Sequence, residues 1–274
     1  MSELNCLYLG ADDRQHTYDL VIPENYRGCT LLFMHGFMGF KDWGCWDLMM
    51  DHFVGLGYGF CRFNISHNGT TKDHPLEFVD ANSFGEDSYF KELTDLRRMI
   101  DLTRSKISIQ DKLVLIGHSR GGGMVLLGSN DDRVTAVISL AGISSIESRF
   151  PTGDLLQAWK NEGVKYVHNS RTGQDLPQYF SQYEDFLEHK NQLSIRNACE
   201  HLKKPVLLIH GTNDTSVSID EGYELASFCG TDLKIIEGAD HTFGAAHPWH
   251  EEKMPDHLLQ VCQSIHKFIH FSKQ

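Results

Sequence analysis

Short apolar runs recur along the chain, and stretches of helical periodicity fall between them. Leu4 to Leu9 and Thr17 to Ile22 alternate or run apolar around Gly10-Ala11-Asp12-Asp13, which predicts a hairpin. Thr30 to Met34, Tyr58 to Ile65, Leu113 to Ile116, Val134 to Leu140, Pro205 to Ile209 and Leu233 to Ile236 read as further strands. Unbroken apolar runs such as Leu113 to Ile116 suit strands buried on both faces. Trp43 to Leu56 places Trp46, Met49, Met50, Phe53 and Val54 mostly on one helical face. Phe90, Leu93, Leu96, Ile100 and Thr103 mark a second helix, and Ser83 and Glu86 before it have the spacing of a capping box. Asp256 to Phe271 is predicted to close the chain as a helix, with Leu258, Val261, Cys262, Ile265 and Ile269 on its apolar side.

Strands alternating with helices imply an α/β fold, a mainly parallel twisted sheet of about eight strands flanked by helices. One stretch departs from this rhythm. Ser144 to Lys204 is polar and charged, carries Trp159, Tyr166, Tyr179, Phe180, Tyr183 and Phe186, and has no run resembling a core strand. It is predicted to be an inserted, mostly helical cap, residues 144–204, on a core formed by residues 1–143 and 205–274. A chain of 274 residues, 41% hydrophobic, suffices for one large domain with such an insertion.

The formal net charge of −12 argues against nucleic acid or an anionic membrane as partner. Seven scattered cysteines without a C-x-x-C pair suit reduced thiols and a cytoplasmic protein. The first 20 residues carry Asp12, Asp13 and Asp19 and lack a basic start with an apolar run, so no signal peptide is expected. No apolar stretch is long enough for a membrane span. His241, His247 and His250 do not have the spacing of a known metal site, and no G-x-G-x-x-G follows the first strand. Neither a metal nor a cofactor is expected. Oligomeric state is not legible.

The chemistry concentrates where strands end. In a parallel sheet the functional loops leave the carboxyl ends of strands. After Ile116 comes Gly117-His118-Ser119-Arg120-Gly121, a G-x-S-x-G followed by an apolar helix-like stretch to Leu127. Alone the motif is common; between a strand and a helix it describes a tight turn that thrusts a serine hydroxyl outward. After Met34 comes His35-Gly36-Phe37, after Ile209 comes His210-Gly211-Thr212-Asn213-Asp214, and after Ile236 comes a loop containing Asp240 and His241. A serine hydroxyl needs a base to take its proton, and an imidazole needs a carboxylate to fix its tautomer. Ser119, His241 and Asp214 are therefore the candidate nucleophile, base and orienting acid; Asp240 is the nearest rival acid, but as the neighbour of His241 it is an awkward orienter of that ring.

The order Ser119, Asp214, His241, with His35-Gly36 after an early strand, resembles the α/β-hydrolase superfamily over nearly the whole chain. Within it the chain looks like the small esterases and serine-aminopeptidase-like hydrolases. The resemblance implies an oxyanion hole from the backbone N–H groups of Phe37 and Arg120. It also implies an acyl-enzyme on Ser119. The expected function is hydrolysis of a small carboxylic ester; a peptidase or thioesterase would use the same residues. A non-catalytic hydrolase-like binding protein is the contrasting reading, and no missing triad member favours it. The expected partner is a small ester or amide substrate. His35 is expected to brace the oxyanion loop and His118 to pack or bond beneath the turn. With Gly36, Asn64 and His67 they make up the residues expected at the pocket wall. The Arg120 side chain is expected to pair with a nearby acid, contact with an anionic substrate being the alternative.

Overall fold

The computed structural model describes residues 1–271. Eight strands form one sheet in the order β1-β2-β4-β3-β5-β6-β9-β10. They are β1 (Ser2–Leu9), β2 (Gln15–Val21), β3 (Cys29–Met34), β4 (Gly59–Phe63), β5 (Lys112–His118), β6 (Ala136–Leu140), β9 (Val206–Gly211) and β10 (Leu233–Ile236). The hairpin β1–β2 is antiparallel, β2 also runs antiparallel to β4, and every other pair is parallel. The expected α/β-hydrolase fold, with its mainly parallel sheet, is the observed one.

Side chains alternate across β5 into two cores. Leu113 and Leu115 face one layer with Leu96, Ile100 and Met124, which belong to α3 (Tyr89–Lys106) and α4 (Arg120–Gly128). Val114 and Ile116 face the other with Trp46 and Phe53 of α1 (Trp46–Gly55) and Leu258 and Ile265 of α9 (Asp256–Phe271). Burial on both faces explains why β5 reads as an unbroken apolar run.

The start of α3 differs from the sequence expectation. Ser83 and Glu86 fall in a separate short helix, α2 (Ala81–Glu86), capped by Asp80, whose Oδ1 accepts from the Ser83 N–H. The chain turns extended at Asp87, and Ser88 caps α3 by accepting from the Lys91 N–H. A serine nearer the first apolar residue won the cap.

Between β6 and β9 the chain leaves the main sheet. This excursion carries α5 (Gly153–Glu162), α6 (Ser181–His189) and α7 (Ile195–Glu200). It also carries an antiparallel hairpin, β7 (Val164–Asn169) with β8 (Gln174–Tyr179), which the sequence reading did not place. Pro177 in β8, opposite Tyr166, removes a ladder donor and disguises the strand. The excursion is tied to the α2 region, where Tyr179 Oη donates to Asn82 and Gln182 Nε2 to the Gly85 carbonyl. α8 (Ile219–Cys229) packs beside β9. Among the described residues no helix is long and apolar enough to cross a membrane.

Candidate active site

β5 delivers Ser119 at the middle of the sheet. Ser119 has φ 58° and ψ −120°, between the strand and α4. A Cβ on Gly117 would come within 2.0 Å of the Gly121 carbonyl oxygen, so this turn closes only with glycine there. The Ser119 N–H donates to the Leu140 carbonyl at the end of β6, at 2.8 Å, pinning the turn.

The loops after β9 and β10 bring the other two groups to the hydroxyl. His241 Nε2 lies 2.9 Å from Ser119 Oγ, and its Nδ1 lies 2.7 Å from Asp214 Oδ2. With Nδ1–H donating to the carboxylate, the Nε2 lone pair faces the serine. The Asp214 side chain is fully buried. Its Oδ1 accepts from the Ser216 and Val217 N–H groups at 2.8 and 2.9 Å. Its Oδ2 also faces His210 Nε2 at 3.2 Å. Burial alone would raise the Asp214 pKa, but the hydrogen bonds from His210, His241 and Val217 outweigh it and hold the carboxyl well below its usual range. Asp240 instead accepts from the N–H groups of Thr242 and Gly244, shaping the loop that carries His241.

His118 lies beneath this pair. Its Nε2 is 2.8 Å from the His241 carbonyl oxygen, and its ring packs 4.8 Å from that of His241 and 5.2 Å from Trp46. Burial, reinforced by His241, pushes it down to about 3, so it is neutral and donates through Nε2.

The loop after β3 approaches Ser119 from the other side. A Cβ on Gly36 would sit 2.9 Å from Ser119 Cβ. Neither the Phe37 nor the Arg120 N–H has an acceptor among the described residues. Burial lowers His35 to about 4; its Nδ1 donates to the Gly36 carbonyl and its Nε2 accepts from the Ile65 N–H. His35 thus ties the loop to the end of β4. Just beyond, Lys41 and Arg62 interlock with Asp19 and Asp42, all four contacts being 2.8 to 2.9 Å. The interspersed charges of this cluster gave no sequence signal.

The Arg120 guanidinium is sandwiched between the rings of Phe37 and Tyr89, 4.0 and 4.6 Å from their centroids. It pairs with Glu92 at 2.8 Å. The expected acid partner is therefore present, but no sequence pattern singled out Glu92.

Two cavities, of about 370 and 340 Å³, meet at Ser119 and His241. Gly36 and His118 line the second. His35, Asn64 and His67 line neither. Asn64 is buried away from the cavities, accepting from the Lys41 N–H and donating to Thr17 Oγ1. His67 is buried against Ser66 Oγ. Both follow a strand that ends on the active face, but their side chains point inward. The excursion supplies wall residues that sequence reasoning did not assign, chiefly Lys165 in the larger cavity and Asn169 and Arg171 in the smaller. No group of three His, Cys, Asp or Glu side chains suited to a metal occurs among the described residues.

A family model, the prolyl oligopeptidase family, matches residues 90–259, a span that includes Ser119, Asp214 and His241. The chain belongs to the prolyl oligopeptidase family. Its members are hydrolases of the α/β fold, and this chain is one. Est1E from Butyrivibrio proteoclasticus with ferulic acid bound is 18% identical, with a TM-score of 0.72 over 96% of this chain and 98% of that one. Mouse alpha/beta hydrolase domain-containing protein 10 is 17% identical, with a TM-score of 0.71 over 99% and 100%. Pyrococcus horikoshii acylaminoacyl peptidase is 17% identical, with a TM-score of 0.63 over 98% of this chain and 41% of the peptidase. At such identities the likeness is one of fold. A sequence search of curated proteins returns no match.

Proposed function

We propose that this member of the prolyl oligopeptidase family is a serine hydrolase of small carboxylic esters, working through an acyl-enzyme on Ser119. The observation that carries the reading is the continuous chain Ser119 Oγ–His241 Nε2, 2.9 Å, and His241 Nδ1–Asp214 Oδ2, 2.7 Å. As the Ser119 oxygen attacks the ester carbonyl, His241 takes its proton and Asp214 stabilises the imidazolium. The Phe37 and Arg120 N–H groups bind the developing oxyanion; losing one such donor typically costs about 2.7–4 kcal/mol. His241 returns the proton to the departing alcohol. Water then repeats the sequence on the acyl-enzyme and releases the acid. Residues 144–204 act as a cap that walls the cavities around the nucleophile.

A second reading, cleavage of an amide with the same residues, is favoured by the family match. One panel separates the two. The protein is incubated with a fluorophosphonate probe, then assayed on 4-nitrophenyl esters of graded acyl length and on aminoacyl amides with a free amine. Labelling at Ser119 with ester turnover, both lost in Ser119→Ala by several orders of magnitude, supports the esterase. Faster amide turnover replaces it with the peptidase. A folded protein that neither labels nor turns over any substrate overturns both.

A further inference from the structure

The larger cavity at Ser119 has a charge of its own. Arg120, Arg149 and Lys165 line it, and among the described residues no carboxylate does. This is unexpected in a chain of net charge −12. Two of the cations are already matched outside the wall, Arg120 by Glu92 and Arg149 by Glu221. Lys165 is not. It comes from β7 of the excursion, is half-buried, and has no carboxylate within ion-pair distance among the described residues. Its ammonium lies 4.3 Å from the centroid of Trp159, which the Gln178 carbonyl holds through the indole N–H at 2.8 Å. The remaining polar groups of that wall include the amides of Gln178 and Gln182.

A surface lysine that merely lays its stem on an aromatic ring keeps its ammonium in water. Here burial, and then the nearby Arg120, push the Lys165 pKa down, the signature of a cation short of a counter-charge. Water-excluding aromatic walls strengthen any anion placed against it.

We propose that the cavity accepts a substrate bearing a carboxylate in addition to the scissile bond, and that Lys165 selects it. This rests on the serine hydrolase reading of the same site. The matched chemistry is a monoester of a dicarboxylic acid, or an ester whose alcohol part carries the carboxylate. In either, water adds across the ester bond, hydroxyl to the acyl carbon and proton to the leaving oxygen, and the extra carboxylate is unchanged.

The test uses the full chain and its Lys165→Met, Lys165→Arg and Ser119→Ala variants. kcat/KM is measured on mono-4-nitrophenyl glutarate against 4-nitrophenyl pentanoate, and on 4-acetoxybenzoate against its methyl ester. Wild type should prefer the anionic member of at least one pair, which also identifies the side that carries the charge. Lys165→Met should lower kcat/KM on that member by roughly 10- to 100-fold, the loss of one charge-assisted contact, and Lys165→Arg should restore much of it. The neutral esters should change by no more than about twofold, well under the tenfold that 1.4 kcal/mol represents. Glutarate and 4-hydroxybenzoate binding to Ser119→Ala, followed by titration calorimetry with and without Lys165→Met, reads the site without turnover. Lys165-dependent binding of either anion in a protein that does not label with fluorophosphonate upholds the anion site and removes the hydrolase reading. Turnover of neutral esters without anionic preference, or equal losses on both members of each pair, overturns the anion proposal alone.

Discussion

The Nε2 atom of His118 lies 2.8 Å from the backbone carbonyl oxygen of His241. The residue preceding the proposed nucleophile thus anchors the main chain of the proposed base, 123 positions away. Replacing it, as in His118→Leu, leaves that carbonyl without its donor at a cost of about 1–3 kcal/mol. His241 then loses one of the restraints on its position, and an error near 1 Å in a catalytic group can cost about 10²-fold in rate. The expected outcome is a fall in kcat with little change in KM, together with a lower urea midpoint. Wild-type kcat in a folded His118→Leu protein would show that the contact does not position the base.

Gly36 tests the proposed oxyanion loop. An alanine methyl there would meet Ser119 Cβ at 2.9 Å and the His118 carbonyl oxygen at 3.0 Å, so the loop must retreat from Ser119. Gly36→Ala should retain its fold, because the clash is confined to a loop. It should lose roughly 10²- to 10³-fold in kcat, the usual effect of withdrawing one oxyanion donor. Circular dichroism beside steady-state kinetics checks both halves.

Buried histidines set the response to acid. Burial pushes His16, His35 and His67 down to about 4 and His118 to about 3. An unfolded chain protonates the same groups near pH 6.5. Because the folded values are depressed, their contribution is fully present above about pH 6.5 and is lost as pH falls toward about 4. Asp95 opposes them. Burial, only partly offset by hydrogen bonds from the Ser66 and Ala11 N–H groups, raises it to about 6, so its contribution is lost as pH rises through that value. Asp87, which burial and then the neighbouring Glu92 raise, acts in the same direction, and four histidines against two carboxyls still leave a net loss on acidification. Each unmatched proton is worth about 1.4 kcal/mol per pH unit at full effect. Urea midpoints at pH 7, 6 and 5 should fall steadily, and His67→Gln should flatten the slope. A midpoint independent of pH would refute the assignment of neutral buried rings.

Much of this molecule is legible because its main sheet is built from runs buried on both faces. Leu113 to Ile116 announces a strand, Gly117 and Gly121 announce the turn, and the parallel sheet directs the loops holding Asp214 and His241 to the same rim. Side-chain direction at a strand end is less legible. Asn64 and His67 follow β4 on the right rim, yet they turn inward, and a shift of one position reverses the face. The hairpin β7–β8 stayed hidden because it pairs outside the main core and contains Pro177. Lys165 had no local pattern to reveal it, and Trp159 showed only as one of the aromatics of residues 144–204. Their place beside Ser119 follows from how the excursion docks, through contacts such as Tyr179 with Asn82, which no neighbouring residues encode.

The serine and its base hang from strands of unequal security. β5 has a strand neighbour on each side, whereas β10 is a four-residue border strand that pairs, among the described residues, with β9 alone. Border strands open at lower free energy than the interior of a sheet. Gentle warming should therefore silence the molecule by fraying β10 and carrying His241 away, while the centre of the sheet and the serine turn are still folded.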